Sequence, residues 1–172
     1  MALIKDPDWY LTGQDTPDKI YTNAVFFALA LYHWFHDNLL LGSLFALLGV
    51  GSTAFHLSTS RETLLFDRLA MILVFSYFFN LFYPSVSFPT YSLIGLASVL
   101  LWYGTEELAP YFLFQALGLF LYLKYFPMRL TYKLAIIGAY IGITYLQMLE
   151  EGRYHSLKHV GLAALSLTFK TY

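Results

Sequence analysis

Long apolar stretches, parted by breaks of only a few residues, constrain this chain more than any other feature. They run over roughly residues 20–36, 38–57, 64–83, 89–104, 110–126, 131–149 and 155–171. A helix needs about 20 predominantly apolar residues to cross the hydrocarbon core of a bilayer, and about 17 at the least. The stretches sit at or near that lower limit, and each is read as one crossing. The breaks are marked by Asp37-Asn38, Ser58 to Glu62, Pro84 to Pro89, Glu106-Glu107 before Pro110, Lys124 to Lys133, and Glu150 to Arg153. Connections this short make successive helices antiparallel neighbours. A membrane barrel would alternate apolar and polar residues over ~10-residue strands, and these stretches are continuously apolar. The predicted fold is therefore all-α: a polytopic membrane protein built as one seven-transmembrane-helix bundle over residues 1–172, with 1–19 as a polar N-terminal segment.

Composition supports a bilayer environment. Apolar residues make up 58% of the chain and charged residues 12%, about half the charge of an ordinary soluble domain. The net charge of −1 and the lack of a basic run exclude nucleic acid as an expected partner. There is no cysteine, so any metal would be held by histidine and carboxylate. Residues 1–19 lack the basic-then-apolar order of a secretory leader, so the first span is expected to act as its own insertion signal. The positive-inside rule does not set the orientation: Lys5, Lys19, Arg61 and Arg153 fall on the N-terminal side, against Lys124, Arg129, Lys133 and Lys170 on the other.

Ionisable groups inside membrane spans are costly and by default mark a functional site. His56, Asp67, His155 and His159 stand out. Helix parity puts His56 at the end of the second span on the N-terminal side, where the third span begins with Asp67. The seventh span begins on the same side with His155 and His159. All four share one membrane face. His155 and His159 are spaced i, i+4, as are Ser52 and His56, so each pair shares a helical face. Three imidazoles with a fourth position left to water form an open catalytic zinc geometry. Zinc would acidify that water and polarise a carbonyl. Asp67 would accept the proton, and Ser52 would donate a hydrogen bond to the developing oxyanion. His33 and His36 fall on the opposite face and are read as interfacial. Asp67-Arg68 has an ion-pair reading at the interface, and Gly49-Val50-Gly51 is read as a site of close helix contact.

The segment from Gly49 to Thr59 (GVGSTAFHLST), followed by Leu64 to Met71 (LLFDRLAM) and by His155-Ser-Leu-Lys-His159, resembles the alkaline ceramidases. In that family a Ser-x-x-x-His motif ends the second helix, an aspartate opens the third and an HxxxH motif begins the seventh. The wider CREST superfamily also holds the adiponectin and progestin receptors, the hemolysin III-like proteins and enzymes that remodel GPI lipids. Specific identity covers about two dozen residues, the helical layout the whole chain. The resemblance implies zinc on His56, His155 and His159, with Asp67 and Ser52 beside the bound water. It also implies sphingolipid metabolism as the setting. The family carries a calcium site with an Asp-Trp pair in an acidic N-terminal segment. Asp8-Trp9 matches that pair and extends a calcium expectation to Asp6, Asp8, Asp15 and Asp18, although the accompanying glutamates are absent.

The expected activity is zinc-dependent hydrolysis of the amide in a ceramide-like membrane lipid, giving a free fatty acid and a sphingoid-type amine. Nothing in the residues separates an amide from an acyl ester, so a zinc-dependent esterase or phospholipase stays open. A receptor-like protein with structural zinc and a haem-binding electron carrier also stay open. The expected partners are the bilayer and a lipid drawn from it.

Overall fold

The computed structural model describes residues 17–58, 60–107, 109–149 and 159–161. Its elements are α1 (Pro17–Thr22), α2 (Ala24–Phe35), α3 (Leu39–Ser58), α4 (Arg61–Phe82), α5 (Phe88–Thr105), α6 (Ala109–Tyr125) and α7 (Leu130–Leu149), and residues 159–161 are helical. The protein is all-helical, with no strand among the described residues. Among the described residues two helices, α3 and α4, are long and apolar enough to cross a membrane. Helix therefore fills each of the first six expected stretches. The first is broken at Asn23, so that α1 and α2 replace one continuous span. Helix also begins at Pro17, inside the segment expected to be a polar tail.

Local chemistry sets the helix ends. Asn38 starts α3 by accepting from the Leu41 N–H at 3.1 Å, after Asp37 has turned the chain with φ 59°. A capping box starts α4: the Thr63 N–H donates to Ser60 Oγ at 3.2 Å, and the Ser60 N–H to Thr63 Oγ1 at 3.1 Å. Ser87 caps α5, whose first turn holds Pro89, and Glu106 ends it in the left-handed region. Lys133, although buried, donates from Nζ to the Leu123 carbonyl at 2.7 Å. That bond ties the start of α7 to the last turn of α6.

Helix α4 is the hub. It packs against α3, α5 and α6. A helix with one neighbour buries one stripe at 3–4 spacing. In α4 the buried positions Arg68, Ala70, Ile72, Val74, Ser76, Phe78 and Phe79 run round the cylinder. Helix α2, with fewer neighbours, shows the ordinary stripe of Phe26, Leu29, Ala30 and His33. Buried serines return their hydroxyls to their own helix: Ser76 to the Ile72 carbonyl at 2.8 Å and Ser98 to the Gly95 carbonyl at 2.6 Å. The outer faces carry large apolar side chains instead, among them Leu57, Leu93, Leu113 and Leu130, all more than half exposed.

Two glycines set close approaches. A Cβ on Gly51 would lie 3.2 Å from the Asp67 Cα, so α3 and α4 cross backbone to backbone there. This fulfils the expectation of close helix contact at Gly49-Val50-Gly51. A Cβ on Gly118 would lie 1.8 Å from the Phe79 ring, and that ring is already held by Tyr91 and Phe114 at centroid distances of 5.7 and 4.9 Å. Gly118→Ala is expected to destabilise the fold by about 1–3 kcal/mol, the usual range for overpacking. Thermal unfolding in detergent would register it as a lower Tm.

Candidate metal and lipid site

The polar residues singled out by sequence lie at the end where α3 stops and α4 starts. His56 is buried in the last turn of α3, and Ser52 is buried one turn earlier. Asp67 is half-buried in the second turn of α4, its backbone against Gly51. His159, more than 100 residues away in sequence, is buried against this end: its ring centroid lies 5.7 Å from that of His56. Two imidazoles sharing one tetrahedral zinc through Zn–N bonds near 2.0–2.1 Å would have ring centroids about 5–6 Å apart. The His56–His159 pair fits that requirement. His155 and Glu150-Glu151 lie outside the described residues, as do Asp6, Asp8 and Asp15 of the calcium expectation; Asp18 falls in α1. Among the described residues, no three histidine or acidic side chains come together as a metal-holding group.

Sequence reasoning missed a contact from the first span. Thr22 Oγ1 lies 3.1 Å from His159 Nδ1, and the Phe26 ring packs 5.1 Å from the His159 ring. In the Nδ1–H tautomer the imidazole donates to Thr22, which leaves the Nε2 lone pair for a metal. A partner on the second ring nitrogen is the usual means of orienting a ligating histidine. Thr22→Val is expected to weaken zinc retention by about 10–100-fold, the usual cost of losing such a partner. Competition with a graded series of chelators would measure it. The available signal was the polar pair Thr22-Asn23 inside an otherwise apolar stretch, on the N-terminal side that parity assigns to the other site residues.

Arg68 turns into the bundle. Its guanidinium is buried, 3.8 Å from the Trp102 ring centroid and 5.0 Å from that of Tyr111. The aromatic faces of α5 and α6 thus carry the charge into the bundle. Arg61, about two helical turns earlier at the start of α4, takes the more exposed role: it pairs with Glu106 at 3.1 Å and donates to the Tyr103 carbonyl. The two opposite-face histidines also divide. His36 is exposed and donates from Nδ1 to the Tyr32 carbonyl at 2.7 Å. His33 is buried and stacks on Phe45, rings 5.5 Å apart and 6° from parallel. Its place on the Phe26–Leu29–Ala30–His33 stripe explains the burial.

Beneath the polar end lies a cavity of about 310 Å³ among α3, α4, α6 and α7, within the span of small-molecule sites, about 300–1,000 Å³. Its wall is apolar, with Leu48, Met71, Phe78 and Ile137 typical and Gln115 and Tyr122 the polar exceptions. Leu48 is four residues before Ser52 on α3, and Met71 is four residues after Asp67 on α4. Each is one helical turn, about 5.4 Å, deeper on the same face. The chamber therefore begins one turn below the polar residues.

No family model, no curated protein and no solved structure matches this chain. What fold and site define together is a class: an all-helical protein with two helices fit to cross a membrane and two buried histidines within reach of one ion.

Proposed function

We propose that the protein is a polytopic membrane hydrolase of seven helices that uses zinc to cleave the amide of a ceramide-like lipid. The observation that carries this reading is the stacking of a polar end over an apolar chamber. Ser52 and Asp67 sit one helical turn above an apolar cavity of about 310 Å³, His56 one turn beyond Ser52, and His159 lies against His56. The exposed leucines on the outer faces support a bilayer around the bundle, since patches of that kind are a liability in water. The resemblance to the alkaline ceramidases, carried by Ser52, His56, Asp67, His155 and His159, supports the amide.

In this reading His56, His155 and His159 hold the metal, with Thr22 keeping His159 in its ligating orientation. When bound, zinc supplies a Lewis acid and brings the pKa of a water down toward 7. The acyl chain lies in the apolar chamber and sets its carbonyl carbon at the polar end. The water oxygen joins that carbon and the C–N bond breaks. Asp67 takes the water's proton and passes it to the leaving nitrogen, so the products are a fatty acid and a free amine. Ser52 donates to the carbonyl oxygen as charge builds there. Surrounding helices exclude bulk water, which strengthens each of these interactions.

The test joins metal analysis to lipid turnover. Protein purified without chelator is expected to carry about one zinc and, given a membrane lipid extract, to release fatty acid together with a sphingoid-type amine detected by mass spectrometry. Release of fatty acid from phospholipids or acyl esters alone would move the reading to a lipase. Full turnover by chelator-stripped, metal-free protein would end it.

A further inference from the structure

Asn23 is among the most deeply buried side chains of the protein, 1% exposed, and neither its amide nitrogen nor its amide oxygen has a hydrogen-bond partner among the described residues. Its position makes this unusual. It directly precedes α2, where asparagine ordinarily caps a helix by accepting from a backbone N–H of the first turn, yet its side chain makes no such bond. Leaving a buried donor or acceptor unsatisfied costs about 1–3 kcal/mol, and native interiors rarely accept it without a reason.

The neighbours of Asn23 supply the reason. Thr22, the residue before it, reaches His159 Nδ1, and Phe26, three residues on, packs against the His159 ring. Asn23 keeps helical dihedrals, φ −65° and ψ −20°, so positions 23 and 26 share a face. That face carries Phe26 to the histidine. The unsatisfied carboxamide thus stands one residue from Thr22 and three from Phe26, the two side chains that meet His159.

We infer that Asn23 is the specificity-determining residue that reads the N–H of the scissile amide. The inference rests on the hydrolase reading above and deepens it. A carboxamide offers one acceptor and two donor hydrogens. An N-acyl amino alcohol offers the complement: its amide N–H donates to Asn23 Oδ1, and the hydroxyl oxygen beside it accepts from Nδ2. Both orphaned atoms are then satisfied at once. The ester isomer has no N–H, so binding it buries Oδ1 without a donor. Sites that hydrogen-bond a substrate N–H reject analogues lacking it far better than apolar pockets reject a misfit alkyl group.

The experiment uses the full-length zinc-loaded protein in detergent and two lipids alike except for NH or O at the acyl linkage. Asn23→Leu is expected to lower the amide-to-ester ratio of kcat/KM by about 10–100-fold, the factor equivalent to one unsatisfied buried group. Zinc content should stay the same. The Tm of the lipid-free variant should hold or rise, because an unpaired amide has been replaced by a fitting alkyl group. A fall in Tm with the wild-type ratio retained would make Asn23 structural and overturn the inference. Should the leucine variant not fold, Asn23→Ala is read in the same way. If the zinc-loaded wild type cleaves neither lipid, the hydrolase reading is what fails. Asn23 is then judged on binding alone: the amide should raise the wild-type Tm more than the ester does, and in the variant the two lipids should raise it by the same amount. Equal shifts in both proteins would overturn it.

Discussion

Alanine at His56 or at His159 is expected to remove both the zinc and all measurable lipid hydrolysis while leaving the helical bundle standing. The expectation follows from the shared position of the two rings, whose centroids are 5.7 Å apart in a buried setting. With His155 included, three ligands fall to two on either substitution, and a site with two imidazoles and no thiolate binds zinc weakly. The two imidazoles lie at the edge of the apolar core, His159 against Phe26 and His56 against Phe55, while Phe45, Ile72 and Val99 hold the bundle without them. Circular dichroism should therefore match the wild type in detergent, while metal analysis falls from about one zinc to background. Loss of turnover with zinc fully retained would place the metal elsewhere and defeat the proposed ligand set.

Asp67→Asn separates a catalytic metal from a structural one. The carboxylate is half-buried at the point where α3 and α4 make their closest approach. The carboxamide is nearly the same size, so the crossing at Gly51 should survive. It cannot take a proton from water. General base assistance contributes typically 10²–10⁴-fold, and a loss of about that size in kcat is expected with zinc content intact. A receptor-like protein in which zinc only ties helices together would bind metal and fold as before, and no turnover would exist to lose. Wild-type kcat in the Asn variant would remove Asp67 from the mechanism.

The legible part of the fold was the part set by local chemistry. Apolar continuity and the polar breaks gave the six helical stretches to within a few residues, because Ser60, Ser87 and Asn38 are capping residues acting on their own neighbours. The exception is Asn23. Thr22-Asn23 is a polar pair near the start of residues 20–36, yet two polar residues do not by themselves report that the chain pauses there between α1 and α2. The hydropathy profile also gave no sign that His33 is buried against Phe45, since position along a helix is easier to read than direction round it. The burial of Arg68 was hidden for the same reason. Its aromatic partners, Trp102 and Tyr111, come from α5 and α6, and no spacing within α4 announces them.

By itself the sequence determined the helical class, the order of the elements and the height of Ser52, His56 and Asp67 along their helices. Height follows from counting residues at 1.5 Å each from a polar break. The rotation of each helix about its axis, and so which side chains meet, was decided by tertiary packing. Gly51 lets α3 settle on the backbone of Asp67, and Thr22 reaches a histidine 137 residues away. Those contacts depend on the shapes of several helices at once. A pattern read along one strand of chain holds no term for them.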